Sequence, residues 1–179
     1  MRDFSIWASH GTLAVVKTVL LLRHAKSSWD HPEANDRERP LNKRGKRQAP
    51  EMGKLIYTEN LTPDLILTSI ARRACKTAEA VAKNCGYDGE IDRIDDFYPG
   101  GPDDYLRVLS EMPDGVRRVM VVGHNPGLEE FLRVLVGETR SLPTAALAQV
   151  DLPLESWQEL TASTRGKLVR ILRAPEIEK

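Results

Sequence analysis

The stretch Val19-Leu20-Leu21-Leu22-Arg23-His24-Ala25-Lys26 decides how the rest of the chain is read. Four consecutive apolar residues, with Lys17 and Thr18 before them and charge after them, read as a short buried strand. The strand runs straight into a guanidinium and an imidazole, so it delivers both to the C-terminal edge of a sheet. In open parallel α/β sheets, ligands bind at that edge. Arginine can fork two hydrogen bonds onto a phosphate, and a neutral histidine can attack phosphorus. Taken alone, the dipeptide also fits a strand end with two solvated polar residues. The rest of the chain decides between the two.

Composition sets the bounds. The 179 residues suit one domain with a sizeable core, spanning 1–179. Hydrophobic residues make up 41% and charged residues 29%, a globular rather than a disordered balance. The 26 basic and 26 acidic residues cancel, so nothing draws the chain as a whole toward nucleic acid or an anionic membrane. Any anion site must be a local concentration of Arg, Lys and His. No apolar run reaches the roughly 18 residues a membrane span requires. Residues 1–16 read as an N-terminal extension, because Ser9, His10, Gly11 and Thr12 interrupt any leader-like apolar run. Cys75 and Cys85 lie ten positions apart in one helical stretch. That spacing is roughly 15 Å, too far for a disulfide or a shared metal. Reduced, buried thiols of a cytoplasmic protein are expected.

Outward from the first strand, residues 26–40 form a polar loop, and loops of this length after a key strand are often functional. Asn42 is a plausible N-cap for a helix running to 57–59, with a bend expected near Pro50. A strand over 64–69 leads into a helix over 72–84, whose inner face carries Ala74, Ala78, Val81 and Ala82. A weak strand over 90–94 and a turn at 98–101 precede a helix starting at Pro102 and reaching 110. A strong strand over 118–123 is followed by a helix over 128–135, closed by Gly137. Strands over 145–152 and 166–172, with a helical turn at 156–160, complete the pattern. This alternation predicts a three-layer α/β/α sandwich with a mostly parallel central sheet.

Two strands end in histidine: Leu22-Arg23-His24 and Val122-Gly123-His124. Adjacent parallel strands would bring the two imidazoles within a few ångströms. Asn125-Pro126-Gly127 then opens a helix, a setting that favours an anion. A third strand end, Thr68-Ser69-Ile70-Ala71-Arg72-Arg73, puts two cations in the first turn of a helix. That placement opposes the helix dipole, so at least one arginine should have an anion to meet. No cluster has metal-ligand spacing, so no metal and no cofactor are expected.

These motifs resemble the histidine phosphatase superfamily, also called phosphoglycerate mutase-like, and within it the SixA-type phosphohistidine phosphatases. Arg23-His24-Ala25 stands where the family carries Arg-His-Gly, a common variant in the SixA branch. Ser69, Arg73, Ala74 and Thr77 match its Ser-x-x-x-Arg-Ala-x-Gln-Thr motif, with Lys76 in place of Gln. That register selects Arg73 rather than Arg72. His124-Asn125-Pro126 matches the second catalytic histidine, and Arg39-Pro40-Leu41 a segment of the branch. The resemblance runs from about Lys17 to Arg173. It implies a nucleophilic His24, with Arg23, Arg73 and His124 around the phosphoryl oxygens and Arg39 as a further contact. Asn125, Lys26 and Ser27 are expected as substrate-binding residues, with Trp29 at the rim. Many members supply a glutamate as proton donor; here 95–98 offers no clear Glu, and Asp30, Asp36 and Asp96 stand as candidates. The implied substrate is phosphohistidine on a protein. A small phosphorylated metabolite is the alternative, and a phosphate-binding protein without turnover a more distant one.

Overall fold

The computed structural model describes residues 16–29 and 35–175. The expected extension at 1–16 falls outside the described residues except for Val16, and Asp30 falls outside them altogether. Among the described residues, six strands form one sheet: β1 (Lys17–Arg23), β2 (Leu65–Ser69), β3 (Ile91–Ile94), β4 (Arg118–Gly123), β5 (Ala146–Leu152) and β6 (Lys167–Arg173). Their order across the sheet is β3-β2-β4-β1-β5-β6. Among the described residues, four helices accompany them: α1 (Lys43–Thr58), α2 (Arg72–Asn84), α3 (Pro102–Ser110) and α4 (Gly127–Val136). Among the described residues, no helix is long and apolar enough to cross a membrane.

The apolar run of β1 is buried on both faces, which is why it lacks an alternating pattern. Val19 and Leu21 join Val119 and Val121 under α3 and α4, where Tyr105, Leu109, Phe131 and Leu132 close one core layer. Leu20 and Leu22 join Met120 and Val122 under α1 and α2, against Met52, Ile56, Ala78 and Val81. The small inner face of α2 permits close packing: at Gly53 of α1 a Cβ would overlap Asn84 and Val81. The α1 helix runs on through Pro50. Lys17 and Thr18 belong to β1, and the buried Lys17 ammonium donates to the Asp114 and Val116 carbonyls.

The sheet is mostly parallel, with one reversal. Strands β1, β4, β2 and β3 run together, whereas β5 is antiparallel to both β1 and β6. The connection from α4 explains the reversal. It returns over 137–145 to the C-terminal edge of β1, where the Ala145 N–H bonds the Arg23 and His24 carbonyls at 3.1 and 3.2 Å. Strand β5 therefore enters the sheet from the ligand side and runs downward. Residues 142–144 are left beside the ends of β1 and β4.

Candidate active site

Register places the two histidines together. Arg23 of β1 pairs with Gly123 of β4, so His24 and His124 follow neighbouring strand ends. Their ring centroids lie 5.1 Å apart. The chain is pinned just beyond His24: the Ala25 N–H donates to Thr77 Oγ1 at 3.0 Å, and Thr77 donates to the Arg73 carbonyl at 2.7 Å. On the other side, the Lys26 carbonyl accepts from Asn42 N–H. Only glycine fits at Gly45, because a Cβ there would overlap that same carbonyl.

The His24 ring is oriented by its own neighbour. Nδ1 lies 2.8 Å from the Ala25 carbonyl, which can only accept, so the proton sits on Nδ1. Burial lowers the His24 pKa to about 4, helped by Arg73, Arg23 and Arg39 and opposed by the Ala25 bond. The neutral ring then presents the Nε2 lone pair, which accepts from Arg73 Nε at 3.4 Å. His124 is lowered to about 3 by burial, then by His24 and Arg73. Its Nε2 lies 2.8 Å from Ser69 Oγ, and its Nδ1 is buried with no partner among the described residues. Ser69 Oγ also accepts from the Ala71 N–H at 3.3 Å.

The ordinary imidazole value is about 6.5, so both rings are neutral well below it. The kcat/KM profile reports free-enzyme groups, and its acid limb should fall near pH 4. A limb centred at the ordinary value contradicts this electrostatic picture. Stability has the same sign. Between the folded and unfolded pKa values the unfolded chain binds more protons. The stabilisation is complete above about pH 6.5 and is lost as acid approaches the folded values.

Three arginines surround the histidines. Arg23 donates through Nη1 to the Leu142 carbonyl at 3.0 Å, while its Nε is buried without a partner among the described residues. Arg73 is buried at 6% exposure, whereas Arg72 beside it is exposed. The anion expected for this pair is Asp36, in a single 3-10 turn at Asp36–Glu38. Arg73 Nη1 donates to the Asp36 carbonyl at 2.6 Å and Nη2 to Asp36 Oδ2 at 3.0 Å. Arg39 donates to Asp36 Oδ1 at 2.7 Å, Ser27 Oγ at 2.6 Å and the Ser28 carbonyl at 3.0 Å. Its guanidinium carbon lies 3.3 Å from the centroid of the exposed Trp29 ring.

The resulting cavity, about 240 Å³, is lined by Arg23, His24, Lys26, Ser27, Trp29, Arg39, Arg73, His124, Asn125 and Thr144. All eight expected site residues line it, and Thr144 is an addition. Thr144 and the Leu142 carbonyl come from the connection that climbs back to β5. Nothing in their residue types signals a ligand wall. The turn before α4 contributes Asn125 rather than bare amides, and the Leu128 N–H is taken by the His124 carbonyl. Asn125 Nδ2 is tied to Glu129 Oε1 and the Leu142 carbonyl at 2.8 and 2.9 Å.

Two of the three candidate proton donors, Asp36 and Asp96, do not fit that role. Burial pushes Asp36 up, but hydrogen bonds from Tyr98 and Arg39 and the nearby Arg73 outweigh it and hold the carboxyl well below the usual range. It is therefore ionised and carries no proton to give. Asp96 pairs with Arg107 and does not line the cavity. Among the described residues, no group of three or more His, Cys, Asp and Glu could hold a metal ion.

Comparison with known proteins bears on the fold and the family. Residues 19–97 match the model of the histidine phosphatase superfamily (branch 1). An uncharacterized chloroplastic protein of Arabidopsis thaliana is 31% identical over 172 residues, 90% of this chain and 78% of that protein. The structure of SixA from Agrobacterium tumefaciens, assigned as a phosphohistidine phosphatase, is 32% identical with a TM-score of 0.74, covering 87% of this chain and 97% of that one. The protein histidine phosphatase SixA complexed with tungstate shares the fold at 22% identity and a TM-score of 0.70, covering 88% and 97%. Sheet, pocket and relatives together define a phosphatase. The chain belongs to the histidine phosphatase superfamily, in its SixA-type branch.

Proposed function

We propose that the protein removes phosphoryl groups from phosphohistidine on other proteins, through a covalent intermediate on His24. The observation that carries this reading is the His24 ring itself: neutral, its proton held on Nδ1 by the Ala25 carbonyl, its Nε2 lone pair turned into a pocket with three arginines. Nε2 attacks phosphorus as the bond to the leaving group breaks, and the departing imidazole takes a proton from solvent. Water then attacks phosphorus, the bond to Nε2 breaks, and inorganic phosphate leaves with His24 restored. Arg23 and His124 both line the cavity and suit donors to the equatorial oxygens. His124 Nε2 is engaged by the Ser69 hydroxyl, which keeps that nitrogen from acting as a second nucleophile. Arginines supply the positive charge this transfer needs, and no step uses a metal.

Size favours a protein substrate. A cavity of about 240 Å³ lies below the roughly 300–1,000 Å³ of pockets that enclose a small molecule. It takes a phosphoryl group and leaves the rest of the substrate outside. A SixA of the same fold is complexed with tungstate, a tetrahedral oxyanion of comparable shape. A phosphohistidine leaving group departs readily, which fits a pocket without a protonated carboxyl. The buried free thiols Cys75 and Cys85 suit a reducing compartment such as the cytoplasm. The test is kcat/KM for a protein carrying phosphohistidine against a panel of phosphorylated metabolites. A metabolite turned over better than the phosphoprotein reverses the assignment of substrate.

A further inference from the structure

Asp36 does not line the cavity itself but stands behind two residues that do, Arg39 and Arg73. Its Oδ1 accepts from Arg39, its Oδ2 from Arg73 and from the Tyr98 hydroxyl at 2.7 Å, and its carbonyl from Arg73 again. One residue thus ties together the loop after β1, the start of α2 and the segment before α3. The two cations depend on it unequally. Arg39 is also held by Ser27, Ser28 and Trp29, whereas both Nη atoms of Arg73 find their partners on Asp36.

We infer that Asp36 is a positioning residue, an internal counter-anion that aims Arg73 at the transferring phosphoryl group and weakens the resting hold of the pocket on phosphate. The part concerning turnover rests on the function proposed above. Two effects of one carboxylate are separable. Fixing the Arg73 plane matters most in the transition state, when charge spreads over the equatorial oxygens. The negative charge also competes with any bound phosphate for the same guanidinium groups. A pocket of three arginines without it would bind product in the ground state, and such binding does not accelerate chemistry. The side chain is half-exposed, so the competition is modest.

The experiment compares wild type with Asp36→Asn and Asp36→Glu. Orthophosphate affinity is measured by calorimetry, turnover by steady-state kinetics, and folding by thermal melting. Asn keeps the size and removes the charge. It should bind phosphate about three- to fivefold more tightly, the scale of a half-exposed ion pair. Its kcat should fall about ten- to hundredfold, as expected when a catalytic group is misplaced by about 1 Å. Glu keeps the charge and shifts its reach, so it should leave phosphate affinity near wild type while still lowering kcat. A structural residue would not move affinity and kcat in opposite directions in a variant that melts like wild type. Weaker phosphate binding in Asp36→Asn, or unchanged affinity and kcat, overturns the inference. Tighter phosphate binding in a protein that hydrolyses no phosphohistidine leaves the counter-anion standing and removes the proposed function. Failure of wild type to bind phosphate sinks both.

Discussion

Replacing His24 by alanine is expected to abolish phosphoryl labelling of the protein and lower turnover on the order of 10⁴–10⁶, as deletion of a covalent nucleophile does. The expectation rests on three features. Nε2 is unprotonated, its ring is locked by the Ala25 carbonyl, and it borders the cavity alongside Arg73. The label should be acid-labile and base-stable, the behaviour of phosphorus bonded to nitrogen. Brief mixing of wild type with a labelled phosphoryl donor, followed by base and by acid quenches, measures it. His124→Ala should still take the label, because the nucleophile is His24 Nε2, whereas His124 Nε2 is engaged by Ser69. Full labelling of His24→Ala would sink the assignment.

Arg73→Ala is expected to reduce turnover by about 10²–10³, the loss typical of one preorganised donor to a developing anion. Arg72→Ala should stay within about tenfold of wild type. The two are chain neighbours, yet a helix turns about 100° per residue, which sends them to different surroundings. Arg73 is buried between His24 and Asp36, while Arg72 points to solvent. Steady-state kinetics on both variants with one phosphorylated substrate decides the matter. A larger loss for Arg72→Ala would show that the donor to phosphate is the solvent-facing arginine.

Local pattern reached far into this fold. The apolar runs of β1 and β4, the Asn42 cap, the proline opening α3 and the glycine closing α4 are one-dimensional signals, and each stands where it was read. The two histidines were legible for the same reason: a strand end marked by an abrupt change from apolar to polar is visible without knowing its neighbours. The distinction between Arg72 and Arg73 came from a motif register, and helical geometry gives it physical meaning.

What the sequence by itself determined was therefore the order of elements and which residues stand at strand ends. Tertiary structure alone decided the reversal of β5, the wall at Leu142 and Thr144, the proton position on His24 and the capture of two arginines by Asp36. The physical reason is separation along the chain. Arg73 meets Asp36 across 37 positions and Arg23 meets Leu142 across 119, and no propensity or periodicity extends that far. An aspartate in a polar loop reads as solvated until folding brings two guanidinium groups to it.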